Sequence, residues 1–226
     1  MATAKAILAE LKRSKDETCI AGMARFGITP KINYGISMPK LQSMAKRIGK
    51  NHKLALELWK TGVRDARLLA SLIADPQAIT PAQADSWAKG MDSWDVCDCA
   101  CMFVFSYSPL AYRKARQWLR SKDEFVRRAG LATIASLTVH DKKAPDSKFE
   151  AFLPAIASAS FDERNYVKKA ANWALRQIGK RNLRLNKKAL SVASKLAKSK
   201  SKSARWAGLD AVRELKSPKI QARLRK

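Results

Sequence analysis

Apolar residues along this chain recur at intervals of three and four rather than alternating. Leu54 and Leu58 share one helical face, and Leu68, Leu69 and Leu72 cluster on another. Period-two runs are scarce, and Asn-Gly and Asp-Gly hairpin turns are absent. Helix breakers separate the periodic segments: Gly27 to Pro30, Gly49, Gly62, Asp75-Pro76, Gly90, Ser108-Pro109, Pro145 and Gly179. Ala, Leu, Lys and Arg dominate, and these residues cost least in a helix. The pattern predicts an all-α chain of short helices joined by short loops.

The helices repeat. VRRAGLATIASL from Val126, VKKAANWALRQI from Val167 and ARWAGLDAVREL from Ala204 each open on basic residues and place Ala at the fourth position. VRDARLLASLIA from Val63 is a looser relative. Their spacing of about forty residues is the period of HEAT-type helix pairs. Such a pair cannot bury its apolar face alone, so neighbours stack. The expected architecture is an α-solenoid of HEAT-like two-helix repeats with a concave basic surface. A single repeat domain over residues 1–226 is expected, with strongly basic repeats from about residue 164.

Charge sharpens that expectation. The chain of 226 residues carries 45 Lys and Arg against 19 Asp and Glu, a net charge of +26. With 46% hydrophobic residues it can bury a core, so disorder does not account for the charge. Beyond Arg164 only Asp210 and Glu214 oppose a dense basic series. A well-solvated surface does not require so one-sided a balance, and a track for phosphates explains it better. RNA and DNA are not separated by charge alone. Acidic lipid is a weaker rival, because the basic helices lack a bulky apolar insertion face.

Several functions lack their residues. Apolar runs are too short to span a bilayer, and the first ten residues do not read as a secretory signal, so the expected location is the cytoplasm, at the nucleoid through DNA. Cys97, Cys99 and Cys101 have no metal or redox spacing and read as small buried residues. His52 and His140 stand alone, so neither a metal site nor a Ser- or Cys-based nucleophile with its base is expected. No nucleotide fingerprint is present, and no cofactor is expected. Trp59, Trp87 and Trp118 lie in amphipathic stretches and read as core, whereas Trp206 suits either core or a DNA-facing surface.

One segment offers chemistry. MDSWDVCDCACMFVF, from Met91, reads as a helix start capped by Asp92 or Ser93, with Asp95 at a capping-box position. Trp94 and Asp98 are then neighbours on one face. By spacing alone, a core tryptophan with a salt-bridging aspartate is the commoner arrangement.

Trp94-Asp95-Val96-Cys97-Asp98 resembles the W-D-x-x-D motif of the AlkD-like DNA alkylation repair glycosylases, which are HEAT-like repeat proteins. Three further segments resemble that family in the same order: ARFGITPKINYGISMPKLQSMAK from Ala24, FVRRAGLATIASL from Phe125 and NYVKKAANWALRQIGK from Asn165. The resemblance implies Asp98 as the catalytic carboxylate, Trp94 and Trp173 as aromatic walls and Arg128 as the functional arginine. The basic residues of the repeat helices give the DNA track expected from the charge, with Arg127, Lys168, Lys169, Arg176, Lys180 and Arg205. Beside the resemblance, Arg176, three residues beyond Trp173, is expected to hold a phosphate near the lesion. The family's early-helix tyrosine falls near Gly22-Met23, and the interval from Arg128 to Trp173 is long, which points to a divergent subfamily.

The chemistry suits those residues. A 3- or 7-alkylated purine already carries positive charge and leaves as a neutral base, so no general acid is needed. The electron-poor sugar left behind is stabilised by a carboxylate and by tryptophan faces, the latter worth about 0.5–2 kcal/mol each. A basic surround favours the ionised carboxylate. The expected partner is double-stranded DNA containing alkylated bases, met by a monomer without metal or membrane. The alternatives are a non-catalytic HEAT-repeat protein that binds branched or distorted DNA, and a protein-interaction scaffold.

Overall fold

Helix boundaries follow the polar punctuation of the sequence. The computed structural model describes residues 3–225, so the extreme ends of the domain expected over 1–226 lie outside the described residues. The chain forms two compact units, Met1–Leu110 and Ala111–Lys226. The first contains α1 (Ala4–Arg13), α2 (Glu17–Ala24), α3 (Met38–Ile48), α4 (His52–Lys60), α5 (Arg64–Ile73), α6 (Pro81–Lys89), α7 (Trp94–Phe103) and a 3-10 turn at Phe105–Tyr107. The second contains α8 (Ala111–Trp118), α9 (Glu124–His140), α10 (Asp146–Glu150), α11 (Leu153–Ala159), α12 (Asn165–Gly179), α13 (Leu183–Ala197), α14 (Lys202–Leu215) and α15 (Pro218–Leu224). No strand is formed among the described residues.

Short polar side chains open many of these helices. Asn51, Asn182 and Ser201 each accept an N–H from the first turn of the helix they precede, and Thr80 forms a reciprocal capping box with Gln83. Gly49 closes α3 with φ of 75°, a conformation glycine adopts without a Cβ clash.

In the first unit α5 is central, packed by α3, α4 and α7. Its Leu68, Leu69, Ala70 and Ile73 are fully buried. Trp59 and Trp87 stack face to face with centroids 4.0 Å apart and are both buried, as their amphipathic setting predicts. In the second unit, α8 pairs with α9 and α13 with α14, while α9 packs on α12 and α12 on α14. Phe149, Phe152, Ile156, Leu175 and Ile178 belong to one buried cluster there, each side chain worth about 1.5–3 kcal/mol when removed from water. Trp118 is buried in this unit as well.

The repeated alanines have a packing reason. Ala66, Ala129, Ala170 and Ala207 occupy the same repeat position, and none has exposed surface. Next to two of them stand Gly130 and Gly208. A Cβ on Gly130 would lie 2.9 Å from the Leu119 amide nitrogen, and one on Gly208 would lie 2.2 Å from that of Ala197. In α8–α9 and α13–α14 the second helix therefore rests directly on the backbone that ends the first, and only very small residues permit that approach. No helix among the described residues is long and apolar enough to cross a membrane.

Candidate active site and nucleic-acid interface

The Trp94–Asp98 face belongs to the first unit, at the start of α7. Ser93 is the N-cap but makes no side-chain capping bond. Its hydroxyl instead donates to Asp95, whose Oδ1 also accepts the Val96 N–H at 2.9 Å. The capping box suggested by the spacing is therefore not formed. Asp95 is engaged elsewhere: its Oδ2 lies 2.7 Å from both Nε and an η-nitrogen of Arg64 on α5. The other η-nitrogen of Arg64 meets Asp65 Oδ1 at 2.9 Å. Fully buried Asp65 in turn accepts the Tyr34 N–H at 2.7 Å and the Ile36 N–H at 2.9 Å. This network ties α5, α7 and the segment before α3 into one rigid corner.

Trp94 is fixed by its polar edge. Its indole Nε1–H donates to the Phe26 carbonyl, beyond the end of α2, at 3.0 Å. Asp92 secures the approach to α7 by meeting Arg67 at 3.1 Å, and Arg67 lies 5.6 Å from the centroid of the Trp59 ring. Burial lowers the Arg67 pKa from its usual value, with Asp92 opposing that shift. Half-buried Asp98 projects one turn beyond Trp94 on the same helical face. The neighbouring cysteines are buried, and burial pushes the Cys99 thiol up to about 12. It is therefore a neutral packing group at neutral pH. Among the described residues, no group of three or more His, Cys, Asp or Glu side chains is placed to hold a metal ion.

Arg128 and Trp173 belong to the second unit. Arg128 is buried, and an η-nitrogen donates to the Tyr166 carbonyl at 2.8 Å. The Tyr166 ring stacks on Phe125 with centroids 5.4 Å apart. Trp173, on α12, packs its inner side against the hydrophobic cluster and stays half-buried. The four residues assigned to catalysis are thus divided between the units, two in each.

The proposed DNA track separates into two kinds of residue. Arg127 reaches Asp162 at 2.9 Å, alongside Arg164 at 2.6 Å. Hydrogen bonding from Arg164 is the main reason that the Asp162 carboxyl is held below its ordinary value. Arg176 pairs with Glu214 and lies 3.6 Å from Asp210, while Lys180 reaches Glu214 at 2.7 Å. Burial works to raise the Glu214 carboxyl, but the hydrogen bonds and charges of Lys180 and Arg176 outweigh it and leave it lowered. Lys169 and Arg205, by contrast, are exposed, with no carboxylate against them among the described residues. Lys168 places its ammonium 5.9 Å from the centroid of the Trp206 ring, and that ring is 41% exposed.

The profile of the family described as DNA alkylation repair enzyme matches residues 7–215 of this chain. The chain belongs to that DNA alkylation repair family. Among its relatives is an uncharacterized protein of Listeria innocua, Lin0241, 23% identical over 168 residues that make up 73% of each chain. A solved structure with TM-score 0.83 and 24% identity covers 99% of this chain and 96% of its own. It is described as representing a new family of proteins related to the HEAT-like repeat DNA glycosylases, with affinity for branched DNA structures. The shared fold is the HEAT-like helical repeat.

Within this family member, sequence reasoning overlooked two ionic centres, Arg64–Asp65–Asp95 and Arg127–Asp162–Arg164. One signal was present: Arg64 and Arg127 occupy the same repeat position, directly after the Val that opens each segment. Both guanidiniums bind a carboxylate 31 or 35 residues further along the chain.

Proposed function

We propose that this protein is a DNA glycosylase that hydrolyses the N-glycosidic bond of cationic alkylated purines, of the 3-methyladenine and 7-methylguanine type, in duplex DNA. The observation carrying this reading is the first turn of α7, where Trp94 is tethered through its indole N–H and Asp98 stands one turn on along the same face. In the reaction, the C1′–N bond breaks and its electron pair leaves with the base, which departs neutral. C1′ takes on oxocarbenium character. The Asp98 carboxylate opposes that charge and orients a water whose oxygen bonds to C1′ as its proton passes to solvent. Trp94 and Trp173 add cation–π stabilisation, and Arg128 serves as the functional arginine of the family motif. Lys168, Lys169 and Arg205 hold backbone phosphates. The protein acts as a monomer, one HEAT-like repeat domain working at the nucleoid.

These groups suit a base that needs no protonation to leave. The test compares release of 7-methylguanine and 3-methyladenine with release of an uncharged damaged base, hypoxanthine, from the same duplex. Release confined to the cationic bases is expected. Release of hypoxanthine at a comparable rate would contradict the reading.

A second reading is a non-catalytic protein that binds branched or distorted DNA. It is favoured by the relative of matching fold that is described as having affinity for branched DNA. Tight DNA binding without release of either cationic base would make this the better account.

A further inference from the structure

We propose that Trp206 is a stacking platform for an unpaired nucleobase, so that the protein prefers DNA with unpaired nucleotides at a gap or branch over intact duplex. This rests on the DNA-binding reading above.

Trp206 is 41% exposed on α14, and Leu209, three residues on and on the same helical face, is 56% exposed. The repeat does not demand an aromatic here. The corresponding position holds Asp65, Arg128 and Lys169 in the other repeats, so only the last one presents an indole.

Cations surround the apolar patch. Lys202 is exposed one turn before Trp206 and Arg205 is exposed beside it, while Arg213, one turn after Leu209, is paired with Asp210. Lys168 adds its ammonium near the ring. The acidic residues of this helix, Asp210 and Glu214, are already engaged by Arg213, Arg176 and Lys180. A flat apolar centre within a positive rim matches a nucleotide with an open π-face and flanking phosphates. An intact duplex offers only the phosphates, because its base faces are stacked inside the helix. The cations therefore act on any DNA, and the indole acts only where a base is unpaired.

The test uses the full chain with Trp206→Ala and Trp206→Phe. Affinity is measured at one fixed salt concentration for a blunt duplex and for the same duplex with a short single-stranded gap containing 2-aminopurine. Loss of base stacking predicts at least about 5-fold weaker binding of the gapped DNA by Trp206→Ala. Blunt-duplex affinity should change by less than about 2-fold. Trp206→Phe should recover most of the loss, and wild type but not Trp206→Ala should quench 2-aminopurine. Equal losses on both DNAs, or no loss on the gapped one, would overturn the proposal. Failure of wild type to bind either DNA would overturn the DNA-binding reading itself, and this proposal with it.

Discussion

Arg64 joins α5 to α7 by placing two of its nitrogens 2.7 Å from Asp95 Oδ2, while a third lies 2.9 Å from buried Asp65. Asp95 sits between Trp94 and Asp98 in sequence, so the same ion pair that fixes the corner also fixes the turn bearing the proposed catalytic face.

Breaking a buried pair leaves the remaining charge uncompensated, which typically costs about 3–5 kcal/mol. Arg64→Leu should therefore destabilise the protein by about that amount in urea unfolding. A loss below about 1 kcal/mol, the level of an exposed pair, would contradict the role assigned to Arg64.

Gly208→Ala should also be destabilising, by at least about 2 kcal/mol, because the new Cβ meets backbone nitrogen at 2.2 Å rather than a movable side chain. Gly130→Ala should cost less, since its closest contact is 2.9 Å. Calorimetric melting of the two variants gives the order, and a more damaging Gly130→Ala would contradict the packing described.

The helices, their repeat and the core tryptophans were legible because each depends on local periodicity. Ala129, Ala170 and Ala207 align in the sequence and are buried alike. The ionic partners were not legible. Arg127 and Arg205 hold the same repeat position and Arg176 is one more basic residue on a repeat helix, with nothing nearby in sequence to tell them apart. Yet Asp162 lies 35 residues from Arg127 and Glu214 lies 38 from Arg176. Only the folded helix stack brings those carboxylates close. Asp95 likewise fits a capping box by spacing, and its long-range attachment to Arg64 gives it a different role. Trp206 was open between core and surface because its residue type fits both, and packing leaves it partly in solvent.

Acid should weaken the second unit. The Asp162 and Glu214 carboxyls are both lowered in the fold from ordinary values of 3.8 and 4.5. A lowered folded pKa contributes stability that is present above the unfolded value and lost as pH falls through the folded one. Melting temperature should therefore decline below about pH 4.5, and Asp162→Asn should flatten that decline. An unchanged acid limb in the variant would show that Asp162 is not a main contributor.

Salt should distinguish the two kinds of basic residue. Lys169→Ala and Arg205→Ala should each reduce the slope of log affinity against log salt by about 0.9, the loss of one phosphate contact. Arg176→Ala should leave the slope nearly unchanged and lower stability instead, because Arg176 is bound to Glu214. A full unit of slope lost with Arg176→Ala would place that side chain on DNA.

In the glycosylase reading Asp98 stabilises the sugar as a cationic base departs. The direct test is single-turnover release of 7-methylguanine from a duplex by wild type and by Asp98→Asn, with abasic sites scored by alkaline cleavage and DNA affinity measured in parallel. Release by wild type is expected, with a loss of about 100-fold or more in the variant, the scale of removing one electrostatic stabiliser, and with DNA affinity retained. Equal release by the two proteins would contradict the role of Asp98, and binding without release by wild type would contradict the glycosylase reading for that lesion.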